Sequence, residues 1–138
     1  MANNVDKVQK LLRTLAPGAT LEPLGGADRP LFALTVNHSD VPIFLYVDQA
    51  YLILQLEFGV LPKTNIAPLY RRLLEINSRA WGYALGITAS NLLVARVVWP
   101  IDALDQARLL ERLNFMVLVN NTALVPLAQE FQIPSTAT

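Results

Sequence analysis

The chain has 138 residues, 53% of them apolar and 16% charged, with 11 basic and 11 acidic side chains. That apolar content excludes intrinsic disorder, and the balanced, unclustered charge excludes the long-range attraction that draws proteins to nucleic acid or anionic lipid. Cysteine is absent, so no disulfide, thiolate metal site or cysteine nucleophile can form.

The length fits one domain over residues 1–138. The charged fraction falls below the usual quarter or so, so the apolar surplus reads either as a well-filled core or as surface covered by a partner, with a dimer favoured. The opening MANNVDKVQK has no apolar signal core, and no apolar run reaches the roughly 18 residues of a membrane span. The expectation is a soluble cytoplasmic protein.

Residues 4–16 place Val5, Val8, Leu11, Leu12 and Leu15 at helical spacing. Asn4 is a candidate N-cap, Asp6 suits the positive end of the dipole, and Pro17-Gly18 stops the helix. Four candidate strands follow. Residues 20–24 are short and weak, whereas 31–37, 41–48 and 51–58 are separated by brief polar turns, the pattern of an antiparallel meander. In the last strand Leu52, Leu54, Leu56 and Phe58 share a face opposite Tyr51, Ile53, Gln55 and Glu57, which predicts one buried side. The strand before it is apolar on both faces: Ile43, Leu45 and Val47 on one, Phe44 and Tyr46 on the other. Pro42 belongs at a strand start or an edge.

The stretch 65–99 constrains the architecture most. NIAPLYRRLLEINSR reads as an amphipathic helix with Ile66, Leu69, Tyr70, Leu73, Leu74 and Asn77 on one side and Arg71, Arg72, Glu75 and Arg79 largely on the other. A hairpin turning at Ser90-Asn91 follows. Trp81, Tyr83, Leu85 and Ile87 point one way, while Gly82, Ala84 and Gly86 leave a smooth face that another backbone can approach. Asp102 is a candidate cap for the last helix, with Asp105 in its first turn. Residues 115–119 are apolar around most of the circumference, which predicts burial on more than one side. Pro126 should kink or break that helix near Asn120-Asn121-Thr122, and residues 132–138 should fray.

Little chemistry is recognisable. His38-Ser39-Asp40 reads as a polar turn, because triads converge from separated segments, and one histidine without cysteine builds no usual zinc site. Glu57 and Glu75 are scattered carboxylates with no evident shared cleft. Gly25-Gly26 lacks the spacing of a phosphate-binding loop. Arg71, Arg72 and Arg79 form the only basic cluster, partly balanced by Glu75. No catalytic, cofactor-binding or metal-binding residue is expected.

The order helix, three-strand meander, helix, two-strand hairpin, helix resembles that of the class I type III secretion chaperones and the YbjN-like proteins, an α+β fold on an antiparallel sheet. Leu73–Asn77 (LLEIN) resembles the Leu-Leu-x-x-Asn that ends the second helix in that group, and WGYALGITASNLLVARVVWP resembles its small-residue strand, turn, apolar strand and closing Pro. The resemblance covers nearly the whole chain, mainly as an order of elements. It implies a non-catalytic homodimer that holds an extended segment of another protein. The dimer contact would fall on Leu73, Leu74, Trp81, Tyr83 and Leu85, and the partner contact on the first helix and the meander at Leu11, Leu15, Phe44 and Tyr46. Those chaperones are commonly acidic, whereas this chain is neutral with a pI near 6.6. The competing expectation is a small-ligand binder or enzyme using a helix–sheet cleft with Glu57, Glu75, His38 and the arginines. Nucleic-acid binding through Arg71, Arg72 and Arg79 is a third.

Overall fold

The computed structural model describes residues 2–13, 19–23, 32–36, 42–64 and 66–134. Helix α1 (Ala2–Arg13) precedes four strands, β1 (Ala19–Pro23), β2 (Phe32–Val36), β3 (Ile43–Val47) and β4 (Tyr51–Val60). Helix α2 (Ile66–Arg79) leads into the hairpin β5 (Ala84–Ile87) and β6 (Leu92–Pro100). A 3₁₀ turn (Ile101–Ala103) then opens onto α3 (Gln106–Val119), a π turn (Asn120–Leu124) and α4 (Val125–Phe131). The weak first strand therefore joins the meander, which has four strands rather than three. All pairings are antiparallel, in the order β1-β2-β3-β4-β6-β5.

Alternation along the strands separates two faces. Ile43, Leu45, Leu52, Leu54, Leu56, Leu93, Ala95 and Val97 are buried in one cluster with Val8 and Leu12 of α1, Leu69 and Leu73 of α2, Leu109, Leu113 and Met116 of α3, and Leu127 of α4. All four helices thus share one side of the sheet. Phe44, Tyr46, Ile53, Val94, Arg96 and Val98 lie on the other side and take no part in that cluster. A register shift between Glu57 and Gly59 places a bulge at Phe58. Gly59 is needed there because a Cβ would overlap the carbonyl oxygen of Pro134, which crosses this point.

Several local expectations change. Asn4 lies inside α1 and its Nδ2 donates to the carbonyls of Asp48 and Gln49, tying the helix to the β3–β4 turn rather than capping it. The cap of α3 is Asp105, whose carboxylate accepts from the Arg108 N–H at 2.8 Å. Asp102 sits in the 3₁₀ turn before it. Pro126 does not break the last helical run. A proline cannot donate to the carbonyl four residues back and its ring crowds that carbonyl. The wider π turn absorbs the defect, with the Val125 N–H reaching the Asn120 carbonyl. Residues 132–134 do not fray: Ile133 is buried and its N–H bonds the Ala128 carbonyl at 2.8 Å. Leu118 is exposed, so the apolar run of α3 is covered on part of its circumference only. Pro17-Gly18, Gly25-Gly26 and Asn65 lie outside the described residues.

Candidate partner-binding surfaces

Helix α2 carries a wider apolar stripe than the core covers. Leu69 and Leu73 are buried, but Tyr70 is 45% exposed and Leu74 71% exposed. On a helix, successive residues differ by about 100°, so Leu74 faces away from the core that holds Leu73. Burying a leucine is worth roughly 1.5–3 kcal/mol, and Leu74 forgoes most of that within one chain. Trp81 is 88% exposed. It lies in a bend before β5 rather than in a strand, next to Gly82 at φ 82°. Tyr70, Leu73, Leu74, Asn77, Leu85, Gly86 and Ile87 line an open apolar groove of ≈ 370 Å³ between α2 and β5.

The groove has a fixed floor. Leu73 and Leu85 belong to the core. Asn77 Oδ1 accepts from the Leu85 N–H at 2.8 Å, and its Nδ2 donates to the Leu85 carbonyl at 2.9 Å. Tyr83 is half-buried and packs on Phe115 with ring centroids 6.1 Å apart. Of the five residues expected at a dimer contact, Leu73, Tyr83 and Leu85 are therefore held within the chain, and Leu74 and Trp81 project from it.

A second surface is the helix-free face of the sheet. Register places Phe44, Gln55, Arg96 and Ala84 side by side on β3, β4, β6 and β5, with Tyr46, Ile53 and Val98 in a neighbouring row. Phe44, Tyr46 and Ile53 are half-buried, and Val98 is 50% exposed. Gln55, expected on an exposed face, is only 2% exposed. It is satisfied on both sides: its Oε1 accepts from Arg96 Nε and Nη2 at 2.9 and 2.6 Å, and its Nε2 donates to Glu57 at 3.1 Å. Burial, reinforced by the Glu57 charge and opposed by Arg96, raises the Tyr46 phenol above its ordinary pKa. Leu11 is half-buried against the helix-side core, so the fold does not bring it together with Phe44 and Tyr46. Leu15 lies outside the described residues.

The carboxylates and arginines of the competing expectations are dispersed. Glu57 faces the helix-free side, whereas Glu75 on α2 pairs with Arg71 at 3.2 Å and Arg72 at 3.4 Å. These arginines hold Glu75 below the ordinary carboxylate pKa, the Arg71 hydrogen bond most of all. Arg72 also bridges to Glu130 at 3.4 Å, beside a cleft of ≈ 130 Å³ lined by Ile76, Tyr83, Thr122 and Pro126. That is small against the roughly 300–1,000 Å³ of small-molecule sites. His38 lies outside the described residues. Among the described residues no three His, Cys, Asp or Glu side chains are grouped to hold a metal, and no helix is long and apolar enough to cross a membrane.

The model of the Tir chaperone protein (CesT) family matches residues 10–120. The chain belongs to the CesT family. It is a class I type III secretion chaperone-like protein, and this family is one of chaperones rather than enzymes. A solved structure of the Yersinia pestis type III secretion chaperone SycH, in complex with a stable fragment of YscM2, is similar at 14% identity and a TM-score of 0.52, covering 83% of this chain and 93% of that one. At that identity the likeness concerns the fold. No curated protein matches the sequence. For a CesT-family chain, exposed apolar groups on α2 and on the sheet are the features to explain, and Asn77 is the residue whose part sequence reasoning missed. Its place in LLEIN marked it, but not the strand edge it meets.

Proposed function

We propose that this CesT-family chain is a homodimeric, non-catalytic chaperone that acts in the cytoplasm and holds a segment of a partner protein. The observation that carries the dimer is the uncovered flank of α2, where Tyr70, Leu74 and Ile87 line a groove floored by Leu73 and Leu85 and Trp81 stands exposed just after the helix. A second copy presenting the same flank would bury all of it, and a two-fold contact is self-complementary by construction. Size-exclusion chromatography with light scattering tests this: a dimer at micromolar concentration is the expected result, and a strict monomer refutes it.

Partner contact falls on the meander at Phe44 and Tyr46, and any contact through α1 at Leu11 belongs to the other side of the sheet. The half-buried aromatic pair on the helix-free side of the sheet supports this, because aromatic groups on a rigid sheet suit an extended apolar segment. Affinity capture from the source cell, comparing wild type with Phe44→Ser, tests it. A partner retained by wild type and lost by the variant is expected, and equal retention overturns this placement. SycH was crystallised with a fragment of another protein, which agrees with the reading.

A further inference from the structure

We propose that the helix-free face of the sheet recognises a carboxylate in an otherwise apolar partner segment, and that Arg96 is the group that reads it. The inference rests on the partner-binding reading above and adds the chemistry of the bound segment.

Arg96 is exposed, yet its guanidinium is fixed in place. Two of its N–H groups, on Nε and Nη2, converge on the single Oε1 of buried Gln55. Gln55 is oriented in turn by its bond to Glu57. An arginine has five N–H donors in a rigid fork. Gln55 takes one side of that fork and leaves the edge shared by Nη1 and Nη2. Arg71, Arg72 and Arg108 each pair with a carboxylate, but among the described residues Arg96 has none within salt-bridge distance. Its acceptor is neutral, and no described carboxylate pairs with it. A carboxylate fits the remaining edge with two parallel bonds.

The surroundings specify what flanks that carboxylate. A notch of ≈ 250 Å³ opens beside Arg96, lined by Ala84, Gly86, Ile87, Thr88 and Val94. A Cβ on Gly86 would meet only Val94 Cγ2, at 3.9 Å, so there is room above the glycine for an apolar side chain. Phe44 lies one strand beyond Gln55 in the same row. Glu57, half-buried on the same face and bonded to Gln55, is not among the residues that line the notch. Among the described side chains of this face Arg96 is the exposed charge and Glu57 the half-buried one, so the charge beside the apolar notch is the positive one.

The test uses two synthetic, end-blocked heptapeptides of alternating leucine and threonine, one with a central aspartate and one with a central asparagine. Each is titrated into the isotope-labelled full chain and followed by its amide spectrum, which also reports folding. The aspartate peptide is expected to move the signals of Ala84, Gly86, Val94 and the Arg96 side chain and to bind about tenfold more tightly. Arg96→Gln should abolish the difference, and Gly86→Leu should weaken both peptides by filling the notch. Equal affinity for the two peptides overturns the carboxylate inference. If both bind equally and Phe44→Ser weakens both, the partner-binding reading stands without it. If the aspartate preference holds and Phe44→Ser changes nothing, Phe44 leaves the partner surface. If neither peptide perturbs this face, both ideas fall.

Discussion

The side-chain amide of Asn77 meets the backbone of Leu85 as a neighbouring strand would, accepting from its N–H and donating to its carbonyl. Strand β5 is an edge of the sheet, and a bare edge is a template for another chain's backbone. One residue at the end of α2 occupies that template. Asn77→Ala should cost about 1–3 kcal/mol, since it leaves a part-buried donor and acceptor without partners. Urea denaturation would measure the loss. Asn77→Asp should be comparably harmful, because it keeps the acceptor but turns the donor into a charge facing a carbonyl. Both variants should also aggregate more readily than an equally destabilised core variant, as light scattering at matched stability would show.

Leu74 and Trp81 should behave differently from their neighbours. Leu74→Lys and Trp81→Lys remove exposed apolar groups, so the fold should change in stability by no more than about 0.5 kcal/mol. The proposed dimer should dissociate. Leu73→Ala lies in the core and should instead cost about 2–5 kcal/mol. Thermal melts paired with light scattering separate the two effects. Acrylamide quenching of Trp81 fluorescence should fall as concentration drives assembly.

The contrast between Leu73 and Leu74 marks where the sequence stops being legible. Helical spacing placed both on the apolar side of one stripe, and it correctly located α2. Spacing cannot say how much of a broad stripe its own chain covers, because that depends on the width of the sheet beneath. The same gap hid Gln55. Alternation assigned it to the right face of β4, but its burial comes from Arg96, two strand elements later in the chain. Sequence reading puts the cap of α3 at Asp102 instead of Asp105 for a smaller reason. Asp102 and Asp105 are both sound caps, and the 3₁₀ turn that decides between them follows from Ile101 and Leu104 entering the core. Strand order was silent too, since nothing local says that β6 rather than β5 lies against β4.

Gly59 should tolerate no side chain. Gly59→Ala drives a methyl group into the Pro134 carbonyl, and overpacking of this kind costs about 1–3 kcal/mol. In a chain ending at residue 132 the clash disappears, so the penalty should shrink even though the shortened chain starts less stable through loss of Ile133. A double-mutant cycle from urea midpoints measures that coupling.

The raised Tyr46 phenol gives a signed pH dependence. Below its ordinary value near 10 the group is protonated in folded and unfolded chains alike, and it contributes nothing to a pH slope. Above that value the unfolded chain releases the proton first, so stability falls as pH climbs toward the folded-state pKa. Tyr46→Phe should flatten the loss. Chemical denaturation at a series of alkaline pH values would show it, and identical slopes in the two proteins would count against the burial that raises the phenol.

The placement of β6 between β4 and β5 also has a consequence for the growing chain. Residues 61–91 separate β4 from β6, and the pairing of these strands joins the meander to the hairpin. Closing so long a loop is slow compared with forming a local hairpin. During synthesis the meander therefore emerges with one rim unpaired, and Gln55 emerges before the arginine that covers it. The face proposed for partner recognition is completed only after residue 100 has left the ribosome, so a partner segment finds no finished surface on a shorter nascent chain.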